Sequence, residues 1–371
     1  RTYVLNENTV PVNGLYLYPR WTDINLGTPG LIFEKIDGTD NYAVAGFDRS
    51  RYEEFSTLKM YIPDEHKDGE VTGAVTTVRK NAFADVSKML TFTELHIAAN
   101  LTTIEDNAFM GLTGISKVVV AEGSKNFKFE NGMLTDVGGT TLYLYVGTSS
   151  EVEVPDTVRY IVGGAFAGNT AVQRVIFGAQ SELLEIGDMA FFGAKYLTEV
   201  ALPASLTTIG KDAFKGAVAM RSLTVAENSA LTNVAVGAFD DCLSALNADA
   251  NGFITLGNVL IKYTGSGTEV VLTDSITAIA GGAFDSQNGA EVVKLTADSN
   301  SSLKFIADGA FDGAISLTEV YLLTAAKPVA EQGAFDGIPR GAVLWVSSTP
   351  YGQFVDDEVY VSGFGAIEGY D

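Results

Sequence analysis

Nine Ala-Phe dipeptides, spaced almost regularly down the chain, constrain its fold more than any other feature of the sequence. The phenylalanines are Phe83, Phe109, Phe166, Phe191, Phe214, Phe239, Phe284, Phe311 and Phe335. Five residues before each stands Val78, Ile104, Ile161, Ile186, Ile209, Val234, Ile279 or Ile306, and only Ala330 breaks that column. Neighbouring phenylalanines are mostly 23 to 27 positions apart, inside the range that marks coil-by-coil repeat architectures. Nine and eleven residues after Phe come Val118/Val120, Val175/Phe177, Val200/Leu202, Leu223/Val225, Val293/Leu295 and Val320/Leu322. Apolar side chains at i and i+2 are what a strand with one buried face requires. Each unit therefore reads as a short strand, a turn, an extended Thr-x-Ile segment and a tight Ala-Phe-x-Gly corner. The glycines after the corner, Gly111, Gly168, Gly193, Gly216, Gly313 and Gly337, are expected at positive φ. One coil cannot bury its own apolar face. Stacked coils can, with like residues over like and the strands in one parallel sheet.

The unit resembles the BspA-like leucine-rich repeats of bacterial surface proteins, most fully in Leu197-Thr-Glu-Val-Ala-Leu-Pro-Ala-Ser-Leu-Thr-Thr-Ile-Gly-Lys-Asp-Ala-Phe-Lys-Gly216. The resemblance spans residues 58–345. It implies a mostly β fold of the leucine-rich-repeat class, a right-handed solenoid with a parallel strand sheet and short corners. It also implies a secreted or surface-anchored protein that works by binding, with no catalytic residues to carry over. Departures are local. Pro203 is present where most other coils lack that proline, and the Ala330 coil is irregular.

Residues 1–57 lack the repeat and read as an N-terminal cap or a linker. Within them Leu31–Gly38 and Tyr42–Phe47 form a predicted hairpin around Asp37-Gly38, beside which Trp21, Tyr16 and Tyr18 are expected to pack. Residues 58–345 are the solenoid, with a polar insertion at Asp64–Gly69. Its spacing doubles twice, between Phe109 and Phe166 and between Phe239 and Phe284. The interposed stretches, Phe127–Val146 and Asn251–Tyr263, read as two β-hairpin insertions of one kind. Tyr145 precedes Phe166 by 21 residues, and Tyr263 precedes Phe284 by the same distance. Both are expected at the periphery, carrying aromatics such as Tyr143 and Tyr145 that pack on the sheet edge or face a partner. Residues 346–371 are expected to fold over the open end as a C-terminal cap.

The net charge of −22 argues against nucleic acid, whose phosphates such a field repels, and against adsorption to an anionic membrane. No apolar run is long enough to span a bilayer. The single cysteine, Cys242, excludes an internal disulfide and falls where other coils place small apolar residues. The chain starts at Arg1 with no apolar leader, which reads as a mature or trimmed start, with an export signal or lipid anchor removed. An extracellular or cell-surface location is expected.

Nothing in the sequence assembles an active site, and no cofactor is expected. His66, in a polar loop, and His96, in a strand, have no partner at metal-ligand spacing and read as surface residues. Gly210-Lys211 lacks the glycine-rich loop of a phosphate cradle. The carboxylates of Asp37–Asn41 and Asp356–Glu358 do not follow a calcium-loop pattern. The outward rows of the strand sheet are the surface of interest. One row carries Glu94, Lys117, Glu151, Arg174, Glu199, Ser222, Glu269, Val292 and Glu319, and the next carries His96, Val119, Glu153, Ile176, Ala201, Thr224, Val271, Lys294 and Tyr321. Mixed charge among aliphatics, without an aromatic ladder, suits a protein or glycoprotein ligand. The candidate contact residues are Glu94, Lys117, Arg174, Glu199, Glu319, Tyr321, Tyr143 and Tyr145. The alternative is a spacer of a surface assembly whose charges merely pair with one another.

Overall fold

The computed structural model describes residues 27–48, 50, 59–84, 86, 91–285, 289 and 291–370. The repeat folds into stacked coils with two kinds of strand. Longer strands begin eight residues after most phenylalanines, as in Arg174–Phe177, Glu199–Leu202 and Ser222–Val225; two-residue strands carry the Thr-Ile position, as in Glu185–Ile186 and Thr208–Ile209. Within each of three blocks, each kind pairs in parallel with its equivalent in the next coil, so a block builds two separate ladders around its own core. All nine phenylalanines and the alanines before them are buried. Phe166, Phe191, Phe214 and Phe239 stack face to face at 4.7–5.4 Å. The backbone runs in step: the N–H of Phe191 donates to Ala213 O at 2.7 Å and that of Phe214 to Ala238 O at 2.9 Å.

The strand Lys294–Ala297 corrects the sequence register. It starts ten residues after Phe284 instead of eight, so Leu295 and Ala297 are the buried pair and Val293 is 41% exposed. In the outward rows Lys294 therefore stands between Glu269 and Glu319, and Thr296 beside Tyr321.

The corner also differs from the glycine expectation. Gly168, Gly193, Gly216 and Gly313 have positive φ, but Gly111 and Gly337 do not. In those two a Cβ would stand 1.7–2.0 Å from the carbonyl oxygen of the preceding coil, so close approach demands the glycine there. The left-handed position common to every coil lies two residues before Phe: Asn81, Asn107, Gly164, Met189, Asp212, Gly237, Gly282, Gly309 and Gly333. Asn, Asp and Gly tolerate that conformation, whereas a side chain without a local hydrogen bond costs about 1–2 kcal/mol. Met189 is the misfit. Met189→Gly is expected to raise stability by up to about 1 kcal/mol, the relief of strain less the entropy an added glycine gives the unfolded chain. Urea unfolding of the variant checks it, and a lower midpoint would mean that Met189 packing outweighs the strain.

The two hairpins are present, but the peripheral position is corrected. The last strand of the first, Thr141–Tyr145, pairs in parallel with Tyr160–Ile161 and so occupies the short-strand slot of a coil. Tyr145 then fills the phenylalanine slot, 5.1 Å from Phe166, with its N–H donating to Ala165 O. Val259–Tyr263 repeats this against Ala278–Ile279, and Tyr263 lies 5.8 Å from Phe284. Both faces of each hairpin are buried. Leu134 and Leu144 join the N-terminal core, while Met133, Leu142 and Tyr145 join the central one. Ile254, Val259 and Ile261 close the other end of the central core, and Phe253, Leu260 and Tyr263 open the third. The hairpins are walls between three blocks of coils.

At each wall the last coil of one block lies against the short-strand side of the next. The Asn107 N–H donates to Gly163 O, and the Gly281 N–H to Val234 O, both at 2.9 Å. Asn233 Nδ2 reaches Glu331 Oε1, 98 positions away, at 2.8 Å. Gly163 and Gly281 are required by this approach, since a Cβ on either would stand 2.6–2.7 Å from the facing coil. Among the nine coils only those after the hairpins carry the doubled glycine, Gly163-Gly164 and Gly281-Gly282.

The ends are closed. Leu31–Lys35 and Tyr42–Phe47 form an antiparallel hairpin, and the latter strand pairs in parallel with Val71–Val78. Trp21, Tyr16 and Tyr18 lie outside the described residues. The segment Glu65–Asp68 is a strand antiparallel to Val71–Val78, not a loop. At the far end, helices Tyr351–Val355 and Glu358–Gly363 bring Phe354, Tyr360 and Phe364 around Phe335. Ala366–Tyr370 then adds a last strand to the longer ladder.

Candidate binding face

The outward side of the longer strands divides into three charge and ring patterns. In the N-terminal block Glu94 is shared by Lys59 at 3.2 Å and Lys117 at 3.7 Å, and its Oε2 accepts from His96 Nε2 at 3.1 Å. The His96 hydrogen bond, followed by the lysines, holds the Glu94 carboxyl below its ordinary range. Both histidines are half-buried against rings instead of lying on open surface. His96 stacks on Tyr61 at 4.2 Å and His66 on Phe33 at 3.9 Å, and burial lowers the His66 pKa. In the central block Arg174 donates to Glu151 at 2.8 Å, and Glu199 stands exposed beside it in register.

The third block differs. Tyr321 stacks on Trp345 at 5.9 Å and 12°, Tyr370 meets Tyr321 edge-on at 5.7 Å, and Lys294 Nζ sits 4.8 Å from the Tyr321 ring centre. Tyr321 Oη donates to Glu319 Oε2 at 3.3 Å. Burial, then the Glu319 carboxylate, raises the Tyr321 pKa. Both Tyr321 and Trp345 are half-buried, and Val271, in the same row, is 57% exposed. The row thus carries two stacked rings before it ends at the exposed Glu368, a short aromatic run where the sequence suggested none.

The fold spreads the eight candidate residues over three blocks, with Glu319 and Tyr321 together in the third. Glu94 and Lys117 neighbour each other in the first block, Arg174 and Glu199 in the second. Tyr143 is half-buried, edge-on to Phe127 at 5.3 Å. Tyr145 is 5% exposed and belongs to the core, so it offers nothing to a partner. Trp345 was missed although it follows Phe335 by the same ten residues that separate Tyr321 from Phe311. Tyr370 follows two helices and carries no periodic signal.

The family model described as the BspA type leucine-rich repeat region matches six times, over residues 67–137, 139–252 and 254–338. The chain belongs to the BspA-type leucine-rich repeat family. A leucine-rich repeat protein of Eubacterium ventriosum is 21% identical over 72% of this chain, with a TM-score of 0.42; the chain spans 63% of that protein's length, less than two thirds. A leucine-rich cell surface protein of Faecalibacterium prausnitzii is 16% identical, with coverage of 92% and 93% and a TM-score of 0.34. The pneumococcal vaccine antigen PcpA is 12% identical, covering 93% of this chain and all of that one, with a TM-score of 0.28. No curated protein matches the chain.

Cys242 is buried, and desolvation followed by Asp241 and Asp240 pushes its thiol up to about 12, far from a nucleophile's range. Among the described residues no group of three or more His, Cys, Asp or Glu is arranged to hold a metal ion. Asp40 pairs with Lys35, and Asp357 pairs with Lys327 while accepting from the Val359 N–H. No helix among the described residues is long and apolar enough to cross a membrane.

The corners of the third block gather like charge. Burial, then Asp308, Asp336 and Asp285, raises the Asp312 pKa. A carboxyl raised in the folded state binds its proton more readily there than in the unfolded chain, so its ionisation opposes folding above the carboxylate range and the penalty vanishes on acidification. Asp312→Asn is therefore expected to raise the melting temperature at neutral pH, the gain shrinking as pH falls through the raised pKa. Melting curves across pH 3–8 check this; a gain constant with pH would assign it to something other than charge.

Proposed function

We propose that the chain is a non-catalytic protein of the bacterial cell surface that binds a host or neighbouring-cell protein or glycoprotein, adhesin-like, through the outward face of its longer strands. The observation that carries the reading is the Tyr321–Trp345 stack with Tyr370, Lys294 and Glu319 around it. Aromatic rings held rigid by each other, flanked by Lys294 and by the carboxylates of Glu319 and Glu368, have the composition of binding hot spots. The family supports a surface location, since one similar structure is named as a cell surface protein.

The first two blocks favour the second reading, a spacer without its own ligand. Their outward charges already pair across strands, as Lys59–Glu94–Lys117 and Glu151–Arg174. Binding of labelled protein to intact epithelial cells and to co-resident bacterial cells separates the two. The Tyr321→Ala/Trp345→Ala variant, confirmed folded by its melting curve, is expected to lose at least about tenfold in affinity, as loss of a single hot-spot pair does. Equal binding by variant and parent would remove the aromatic patch. No binding by the parent to either cell type would leave the spacer.

A further inference from the structure

A coil built on a hairpin has no longer strand. The ladder of longer strands is therefore interrupted twice, before Glu151–Val154 and before Glu269–Val271, and each of these strands pairs on one side only. In the second, the Leu272 N–H bonds to Thr296 O and Thr268 O accepts from Lys294. Alternate residues of a parallel strand address opposite neighbours, so the N–H and C=O groups of Glu269 and Val271 point into the interruption.

The two edges are not treated alike. At the first, the Ser149 hydroxyl accepts from the Glu151 N–H at 3.2 Å and donates to Glu151 O at 2.6 Å, so one side chain caps both groups. The equivalent position at the second is Gly267, four residues after Tyr263 as Ser149 is four after Tyr145. Gly267 has no hydroxyl, and its own N–H and C=O are held by the Tyr263 hydroxyl at 3.1 and 3.2 Å. Beside this uncapped edge lies a cleft of about 780 Å³, against about 460 Å³ at the first. Asp249 and Glu269 are exposed at its lining, which includes no Lys or Arg. The exposed Val271 side chain adds an apolar contact.

We propose that the edge of Glu269–Val271 receives an extended, cationic peptide segment of a partner protein, which adds a strand by main-chain hydrogen bonds to Glu269 and Val271. Strand addition takes its affinity from the backbone and its selectivity from alternate side chains; here the carboxylates of Glu269 and Asp249 select Lys or Arg. An edge left open is otherwise an aggregation hazard that proteins cap or charge, as Ser149 does at the sister site. This inference goes beyond the aromatic-patch reading and does not rest on it.

The probe is acetyl-Val-Lys-Val-Lys-Val-Lys-amide, titrated calorimetrically into the full chain. Binding is expected, with protection of the Glu269 and Val271 amides in hydrogen exchange and none at Glu151 or Glu153. The same peptide N-methylated on alternate residues is expected to bind at least about tenfold more weakly, the loss of one or two backbone hydrogen bonds. Exchanging Lys for Glu should abolish binding. Gly267→Ser, which installs the sister site's cap, should weaken it comparably with no fall in melting temperature, and Tyr321→Ala/Trp345→Ala should leave it intact. No binding of the parent peptide, equal binding of the N-methylated one, or protection elsewhere would overturn the proposal. So would concentration-dependent dimerisation abolished by Gly267→Ser, which would assign the edge to a second copy of this chain.

Discussion

Replacing residues 133–144 with a short Gly-Ser turn is expected to abolish cooperative folding of the first two blocks. The replacement removes Met133, Leu134, Leu142 and Leu144, all buried and divided between two cores. Each such side chain costs about 2–5 kcal/mol when truncated, so four together are comparable with the total stability of about 5–15 kcal/mol typical of a folded domain. Tyr145 would also lose the strand that delivers it to Phe166. Near-ultraviolet circular dichroism and a calorimetric scan measure the outcome. A single transition at the parent temperature would show the hairpin to be an ornament. The milder Leu142→Ala, about 2–5 kcal/mol, keeps the test quantitative if the replacement does not fold.

Truncation of Phe214 to alanine is expected to cost about 3–5 kcal/mol. Phe214 lies between Phe191 at 4.9 Å and Phe239 at 5.4 Å, nearly parallel to both, so its loss opens a cavity bounded by rings that the backbone ladder prevents from closing up. Coils interact with nearest neighbours. Hydrogen-exchange protection should therefore fall most at Ile209 and Val234, and least in the block beyond the second wall. The denaturation midpoint checks the size of the effect, and exchange checks its reach. An unchanged midpoint would contradict burial of the column.

The phenylalanine column was legible because stacking forces the same side chain into the same slot of every coil. The left-handed column two residues before it was harder to see. Asn, Asp and Gly share that slot for a conformational reason, and Met189 breaks the pattern. The walls were misread as peripheral, although the 21-residue step from each tyrosine to its phenylalanine is only two residues shorter than the shortest coil spacing. Their sequences also held the cue: Met133-Leu134 and Val259-Leu-Ile261 are runs of apolar residues, which signal burial on both faces. The slip at Lys294 arose from two extra residues ahead of one strand, a local change to which a fixed offset is blind. The contact of Asn233 with Glu331 left no trace except the doubled glycines that make room for such an approach. At the candidate face Tyr321 and Glu319 were visible from the strand period, and Trp345 could have been by the same count. Tyr370 and the missing cap at Gly267 required the fold, because both depend on which backbone runs alongside which.

The walls also turn coil number into distance. Between the two interruptions stand four longer strands, from Glu151–Val154 to Ser222–Val225, and each neighbour in such a ladder adds about 4.8 Å. A coil gained or lost inside the central block would move one interruption relative to the other by a single increment, leaving the walls of both unaltered. The same sequence distance separates Tyr145 from Tyr263 and Phe166 from Phe284. The chain therefore has a gauge length, counted in coils and reset at every wall, and relatives of different length can be compared by that count.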